Sequence, residues 1–200
     1  MKRPKSFLKV GLIGFLIVLG AWGCVTHPVR IAPVQYTGLS ADQKAGPNPN
    51  APVIKQAFAI DRGMYGTVLR IYLEAEDPNG DMDQIVTQVH QPGYGNYFPD
   101  VIILKPQYRK SFKGFIQWNT YSSKTTAMHE WMWVTVRVSV VNKKGVASNV
   151  FEFPFTFETR AGEAPRPPAP FDQGDLPRIG TVSIDLYNPS LMGGGDGNYD

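Results

Sequence analysis

Apolar and polar side chains alternate residue by residue along the middle of this chain, and this period of two limits the folds open to it. In the clearest run, every second residue is phenylalanine: Phe151, Phe153, Phe155 and Phe157. Successive side chains of a β-strand point to opposite faces of the sheet, so such a run has one apolar and one polar face. No window shows the 3.6-residue period of an amphipathic helix. The sequence therefore predicts an all-β protein.

The same alternation predicts the number of strands. Together with the phenylalanine strand, alternating or short apolar segments occur at residues 53–60, 69–76, 85–90, 101–104, 112–119 and 131–140. Turn-forming Gly, Pro, Asn and Asp residues separate them, notably at 77–81, 91–93 and 142–145. About seven short strands within roughly 110 residues predict a β-sandwich.

Two segments carry a resemblance to known domains. Residues 74–82 read Glu-Ala-Glu-Asp-Pro-Asn-Gly-Asp-Met, and residues 138–148 read Val-Ser-Val-Val-Asn-Lys-Lys-Gly-Val-Ala-Ser. With them, residues 51–159 resemble the immunoglobulin-like, fibronectin type III-like and cadherin-like domains of bacterial surface proteins. The resemblance implies an antiparallel β-sandwich of about seven strands, and the chain departs from antibody domains in having no paired cysteines. It implies no particular activity, because such sandwiches host many unrelated functions.

The amino-terminal segment predicts where the protein resides. Four basic residues among the first nine precede an apolar run at residues 10–19, then small residues, then Cys24, the chain's single cysteine. This order resembles a bacterial lipoprotein signal peptide with a lipobox, which implies cleavage before Cys24 and acylation of its sulfur and new amino terminus. Several acyl chains would hold the protein on a membrane of the cell envelope, its folded part facing the periplasm or the exterior. An uncleaved membrane helix and ordinary secretion are the alternatives.

The composition on either side of the predicted sandwich suggests four regions. Residues 1–23 are the signal peptide, residues 24–50 a proline-containing flexible tether, and residues 51–159 the sandwich. Residues 160–200 form a Pro/Gly-rich tail in which 178–187 alternate as a strand would, and 193–198 are expected to be disordered. That strand could pair with its own sheet or, by β-augmentation, with a partner, and the sequence favours neither.

Charge and cysteine content exclude several classes of function. The precursor has 20 basic and 17 acidic residues, but four of the basic ones lie in the leader, leaving 16 against 17 in the mature chain. A nearly neutral protein has no electrostatic footprint for nucleic acid, so no nucleic-acid partner is expected. With Cys24 acylated, the mature chain has no cysteine for an internal disulfide, a thiol nucleophile or a metal ligand.

The acidic turn is a weak candidate metal site. Oxygen-bearing side chains alternate there as they would in a calcium loop: Asp77, Asn79, Asp81 and Asp83. The spacing departs from an EF-hand, because Gly80 is the fourth residue rather than the sixth and Gln88 stands at the twelfth in place of glutamate. The other interpretation is a tight turn made by Asn79-Gly80 with solvated aspartates. We expect no cofactor, with calcium left open.

Catalytic residues are not evident. The three histidines, His27, His90 and His129, lack the spacing of a zinc site. Ser122 and Ser123 precede His129, but no glycine-flanked nucleophile turn accompanies them. We therefore expect a protein that is not an enzyme.

Aromatic residues are the best candidates for binding. Tyr94 and Tyr97 lie in a Gly/Pro loop, while Trp131 and Trp133 lie on the side of their strand opposite the valines. Exposed aromatic rings anchor protein partners and sugars, although a loop or residues 179–186 could instead cover the tryptophans. The preferred function is a lipid-anchored, non-enzymatic binding or scaffolding protein with an envelope partner. The alternative is a carbohydrate-recognition or accessory domain, with or without calcium.

Overall fold

Strands account for nearly all regular structure in the computed structural model, which describes residues 48–160 and 162–188. A 3₁₀ turn occupies Pro106–Tyr108, and no helix in the described ranges could cross a membrane. Cys24, the leader, the tether up to residue 47 and the tail from residue 189 lie outside them. The strands are β1 (Val53–Phe58), β2 (Arg62–Gly63), β3 (Val68–Glu76), β4 (Met82–Gln91), β5 (Gly95–Asn96), β6 (Asp100–Ile103), β7 (Ser111–Asn119), β8 (Trp133–Asn142), β9 (Phe151–Phe157) and β10 (Arg178–Val182).

The strands form two sheets that pack face to face. Sheet A has the order β1-β3-β7-β10, and sheet B has the order β2-β9-β8-β4, with β5 and β6 both paired to β4. All pairs are antiparallel except β10 with β7 and β2 with β9. The protein is thus an all-β, immunoglobulin-like sandwich, as the alternation and the resemblance predicted.

The described residues contain ten strands, where the sequence predicted about seven. Two of the additional strands, β2 and β5, contain two residues each, which is too short to produce an alternating pattern. The third, β10, follows the proline-rich segment and pairs in parallel with β7. The purely antiparallel expectation was wrong at β2 and β10, because each reaches its neighbour through a crossover rather than a hairpin.

The core lies between the two sheets and is built from every second residue of the long strands. From sheet B, Phe153, Phe155 and Phe157 are buried, and from sheet A so are Leu69 and Ile71. Burying one such side chain stabilises the fold by about 2 kcal/mol. The residues that alternate between apolar and polar in the sequence also alternate between buried and more exposed in the structure, because one face of each sheet packs on the core and the other faces outward.

Pro154 shows how the sheet accommodates a residue that cannot donate a ladder hydrogen bond. It pairs with Thr135 of β8 on one side. On the other side of β9, the two-residue strand β2 pairs with Thr156 and Phe157, beyond the proline. Pro154 therefore lies where β9 borders the sheet edge, which is where proline is tolerated.

The segment after the proline-rich stretch completes the sandwich. Apolar side chains of β10 and the residues that follow it are buried: Ile179, Val182, Ile184 and Leu186. Two buried donors also hold its backbone. The Trp118 indole Nε1–H donates to the Ile184 carbonyl at 2.9 Å, and the Ser122 hydroxyl donates to the Leu186 carbonyl at 2.6 Å. The choice that the sequence left open is thus decided in favour of the chain's own sheet.

A glycine in β7 permits the close approach of this strand. A Cβ atom added at Gly114 would lie 2.5 Å from the carbonyl oxygen of Pro177 and 2.8 Å from a side-chain carbon of Ile179. Both distances are shorter than van der Waals contact. Gly114 is therefore a site where only the absence of a side chain lets another backbone pack against the strand.

The proline-rich segment covers the outer face of sheet A. Phe171 is buried, and its ring centroid lies 5.7 Å from that of Tyr72 in β3. The Tyr72 ring also lies 5.7 Å from that of Phe115, over which the Arg70 guanidinium sits at 4.9 Å. The outward-pointing Tyr72 therefore packs against the segment that the sequence indicated as a Pro/Gly-rich tail.

Candidate binding surface

Two exposed tryptophans mark one end of sheet B. The side chain of Trp131 is 67% exposed and that of Trp133 is 45% exposed. Trp133 belongs to β8, where it pairs with Thr156 and points away from the buried Val134. Neither the loops nor the tail strand covers the two rings, so the alternative of buried tryptophans was wrong. Among the described residues the two indoles make no ring-to-ring contact.

The backbone at Trp131 is unusual. Its φ angle is +66°, a left-handed conformation that a large side chain seldom adopts. The Trp131 N–H donates to the Phe157 carbonyl at 2.7 Å, and the Phe157 N–H donates to the Met132 carbonyl at 2.7 Å. Trp131 and Met132, just before β8, thus both pair with Phe157 of β9, and two residues opposite one define a β-bulge. Another bond, from the Met132 N–H to the His129 carbonyl at 3.1 Å, closes a turn over residues 129–132.

A groove of about 260 Å³ adjoins this bulge. Its apolar wall and its two charged residues come from segments far apart in sequence: Met64, Tyr65, Met128, Glu130, Phe157 and Glu158. Sequence reasoning missed Met64 and Glu130, since a loop methionine and a loop glutamate carry no local pattern. Their approach depends on β2 pairing with β9, a contact over more than 90 residues.

The two candidate tyrosines have a structural role in addition to any contact with a ligand. Tyr97 is buried, its ring stacked on Tyr94 at 4.4 Å, and Tyr94 is stacked on Tyr187 at 5.0 Å. The Tyr97 hydroxyl donates to the buried Gln91 side chain and accepts the Tyr187 N–H at 2.8 Å. Burial raises the pKa of Tyr97 to about 12. Tyr97 therefore fastens the tail to β4, while Tyr94 keeps an exposed edge.

The acidic turn brings together two of its four candidate metal ligands. Asp77 is buried, and its Oδ1 accepts the Asn79 N–H at 2.8 Å while Gly80 takes a positive φ of 68°. Asp77 Oδ2 and Asp81 Oδ1 are buried without a hydrogen-bond partner in the described part of the chain. Burial, reinforced by the Asp81 carboxylate, raises the pKa of Asp77.

The other two candidate ligands are engaged elsewhere. Asp83 lies 3.7 Å from the Arg109 guanidinium, and the Asn79 side-chain amide donates to the Asn50 carbonyl. Within residues 48–160 and 162–188 no three acidic, histidine or cysteine side chains converge as metal ligands would. Calcium takes six to eight oxygens, so these side chains alone would not complete its coordination. What the turn supplies is one pair of buried carboxylate oxygens.

Substituting Asp77 by asparagine is expected to raise the free energy of unfolding at pH 7 by about 1–2 kcal/mol. Asparagine keeps the oxygen that caps the turn, and its amide can donate to the unpartnered Asp81 oxygen. Because the folded-state pKa of Asp77 lies above the usual 3.8, its stabilising protonation is complete below pH 3.8 and is lost as the pH rises through the raised value. The gain should therefore be present at pH 7 and shrink toward pH 3 in urea unfolding measurements.

The matched control for this prediction is Asp83→Asn, which loses its contact with Arg109 and should gain nothing. The wild-type chain and both variants are compared in EDTA, and a separate series contains calcium in place of EDTA. A gain that is absent at pH 7 would contradict the prediction. Stabilisation of the wild-type chain by added calcium, lost in Asp77→Asn, would instead support the calcium hypothesis.

The residues considered for catalysis are dispersed or engaged in structural bonds. The buried Ser122 hydroxyl donates to the Leu186 carbonyl, and the Ser123 hydroxyl contacts Asp185 at 2.5 Å. His90 contacts Asn96 at 3.0 Å, and His129 lies in the exposed turn before Trp131. His27 lies outside the described residues. No described histidine is within hydrogen-bonding distance of Ser122 or Ser123.

The tryptophans lie at the end of the sandwich opposite the start of the described chain. The Asn142 side-chain amide donates to the Asn50 carbonyl at 3.1 Å, which places Asn50 at the carboxyl end of β8. Trp133 begins the same ten-residue strand. At 3.3 Å per residue the two ends are about 30 Å apart.

Comparison with known proteins places the chain in no family. No family model and no curated protein matches it. Among solved structures, it is similar to the PKD domain of an M14-like peptidase from Thermoplasmatales archaeon SCGC AB-540-F20, with 19% identity and a TM-score of 0.35. The similarity covers 55% of this chain and 95% of that one.

Proposed function

We propose that this chain is a lipid-anchored protein of the bacterial cell envelope whose immunoglobulin-like sandwich is a non-enzymatic binding or scaffolding module. The lipobox-like leader ending at Cys24 supports the anchor, because Cys24 follows a basic, apolar and small-residue segment. The tether from residue 24 to residue 50 gives the domain reach from the bilayer. Under this proposal the protein acts by holding a binding module at the membrane rather than by catalysing a reaction.

The observation that carries the binding function is the exposure of Trp131 and Trp133 about 30 Å from the tethered end. Exposed tryptophans are large, rigid contact residues, and they are enriched among the residues that dominate protein interfaces. The described chain begins at the opposite end of the sandwich, so the tryptophans lie far from the point where the tether joins the domain and are open to an envelope partner.

A carbohydrate-recognition or accessory domain is the alternative function. It draws on the same two tryptophans, and on the buried oxygens of Asp77 and Asp81 if calcium assists. It is the less supported proposal, because Tyr97 is buried against the tail and no ring contact joins the two indoles within the described residues. A sugar ring would therefore find single tryptophans rather than a row of aromatic rings.

Replacing Cys24 by serine is expected to move the protein from the membrane fraction to the soluble fraction, because serine has no thiol to acylate. The measurement is fractionation of the envelope together with the intact mass of the mature chain. Thr26→Ser is a conservative change two residues further on and should leave the protein in the membrane fraction. A serine variant that fractionates like the native chain, or an unmodified Cys24 in the native mass, would refute the anchor.

A further inference from the structure

Trp131 occupies a backbone position that ordinarily belongs to glycine. In a bulge whose first residue is left-handed, and at the third position of a turn with positive φ, glycine is the usual residue, because a Cβ atom meets the neighbouring carbonyl oxygen there. Trp131 fulfils both descriptions, with a φ of +66° and the bonds to Phe157 and across residues 129–132. The fold would accept glycine at this position more readily than tryptophan.

Burial does not offset this strain. The Trp131 side chain is 67% exposed, and no ring or cation contact to it occurs within the described residues. Backbone strain of this kind clusters at binding and active sites, where the surrounding structure holds it in place. The strained backbone and the exposed ring together make Trp131 a candidate for a contact outside the chain.

The groove beside Trp131 has the chemistry of a site for a cation. Both charged residues that line it are acidic, Glu130 and Glu158. Glu158 lies 3.2 Å from the Arg62 guanidinium, which Asp61 also contacts at 3.2 Å, so two carboxylates share that cation. Glu130 is exposed, and none of the ion pairs found in the described ranges includes it.

We propose that this groove binds a lysine or arginine side chain of the envelope partner protein, and this inference rests on the binding function proposed above. The alkyl stem of such a side chain would lie against the apolar wall of Met64 and Met128, as long cationic side chains do on apolar surfaces. The charge would lie at the Glu130 carboxylate, and the exposed ring of Trp131, the next residue in the chain, would add cation–π attraction to the Coulomb attraction.

The other occupants fit this chemistry less well. A neutral glycan carries no positive charge to complement the Glu130 carboxylate, and an anionic membrane surface would be repelled by it. The groove also lies at the end of the sandwich away from the tether. A basic segment of a protein is the occupant that uses both the aromatic ring and the charge.

The test uses the full-length chain in detergent and a fluorescein-labelled pentapeptide, Ala-Lys-Leu-Lys-Ala amide, in an anisotropy titration. The matched probe replaces both lysines with norleucine, which keeps the alkyl stem and removes the charge. The variants are Trp131→Gly and Glu130→Gln. The control is Phe98→Ala, which removes a 94% exposed ring before β6, in a segment that contributes no residue to the groove.

We expect Trp131→Gly to raise the midpoint of thermal unfolding and to weaken binding of the lysine peptide at least tenfold. Glu130→Gln should weaken it severalfold, and Phe98→Ala should change neither quantity. A lower midpoint for Trp131→Gly would show that the fold needs the indole and would overturn the inference. Equal binding of the norleucine peptide, or tighter binding of a chitin hexasaccharide than of the lysine peptide, would also overturn it. If Cys24→Ser is released from the membrane but the peptide does not bind, this inference fails while the anchor of the proposed function stands.

Discussion

A chain that ends at Pro177 is expected to be unfolded, or to melt far below the full-length protein. The truncation removes four buried aliphatic side chains of the tail: Ile179, Val182, Ile184 and Leu186. At about 1.5–3 kcal/mol each, their burial contributes about 6–12 kcal/mol. The entire stability of a domain is usually about 5–15 kcal/mol. The stabilisation lost with the tail is therefore comparable with the total stability of a domain.

Hydrogen bonding increases the expected effect. Without the tail, the buried Trp118 indole loses its acceptor at Ile184, and the Gln91 amide loses the Tyr187 carbonyl, to which it donates at 2.8 Å. The edge of β7 also loses its neighbour, which leaves an open strand prone to pairing with other chains.

Circular dichroism during heating and during urea titration measures this effect. A chain that ends at Asn188 retains every tail contact described above and is the matched control. Supplying residues 178–188 as a synthetic peptide should restore part of the lost stability. A truncated chain that melts within a few degrees of the control would show that the tail is an accessory and not part of the core.

Replacing Phe155 by alanine is expected to lower the free energy of unfolding by about 3–5 kcal/mol. Phe155 is fully buried at the centre of β9, and its ring lies 5.2 Å from that of Phe157 in an edge-to-face arrangement. The substitution removes a large apolar side chain and leaves a cavity, because well-packed neighbours relax only in part. Urea unfolding at pH 7 measures the change.

Phe98→Ala makes the same chemical change at a residue that is 94% exposed. It should shift the free energy of unfolding by no more than about 0.5 kcal/mol, as surface substitutions usually do. The difference between the two variants then reports burial alone. Similar losses at both positions would contradict the assignment of the phenylalanine strand to the core.

The class of fold and the buried faces followed from local pattern. Backbone geometry makes successive side chains of a strand point to opposite faces. The core therefore receives Phe151, Phe153 and Phe155, whereas Glu152 points outward. Patterns of this kind reach across a few residues and need no knowledge of the partner strand. They therefore predicted the long strands, but not the two-residue strands β2 and β5.

The candidate site followed from sequence in part. Trp131 and Trp133 were candidates because they oppose a row of valines, and both are exposed. Tyr97 was a candidate for the same reason, its aromatic ring, yet it is buried because Tyr187, ninety residues further on, packs over it. Residue type indicated what each side chain can bind, whereas distant segments decided which side chains remain accessible.

Sequence by itself determined the alternation of faces, the acidic turn and the order of the leader around Cys24, because each depends on neighbours within a few positions. Tertiary structure alone decided that the tail joins β7 in parallel, that the groove draws Met64 and Glu130 together, and that Trp131 is held in a left-handed conformation. Each of these depends on how strands far apart in the chain align. That alignment is selected by the burial of the whole core, and no local segment contains it.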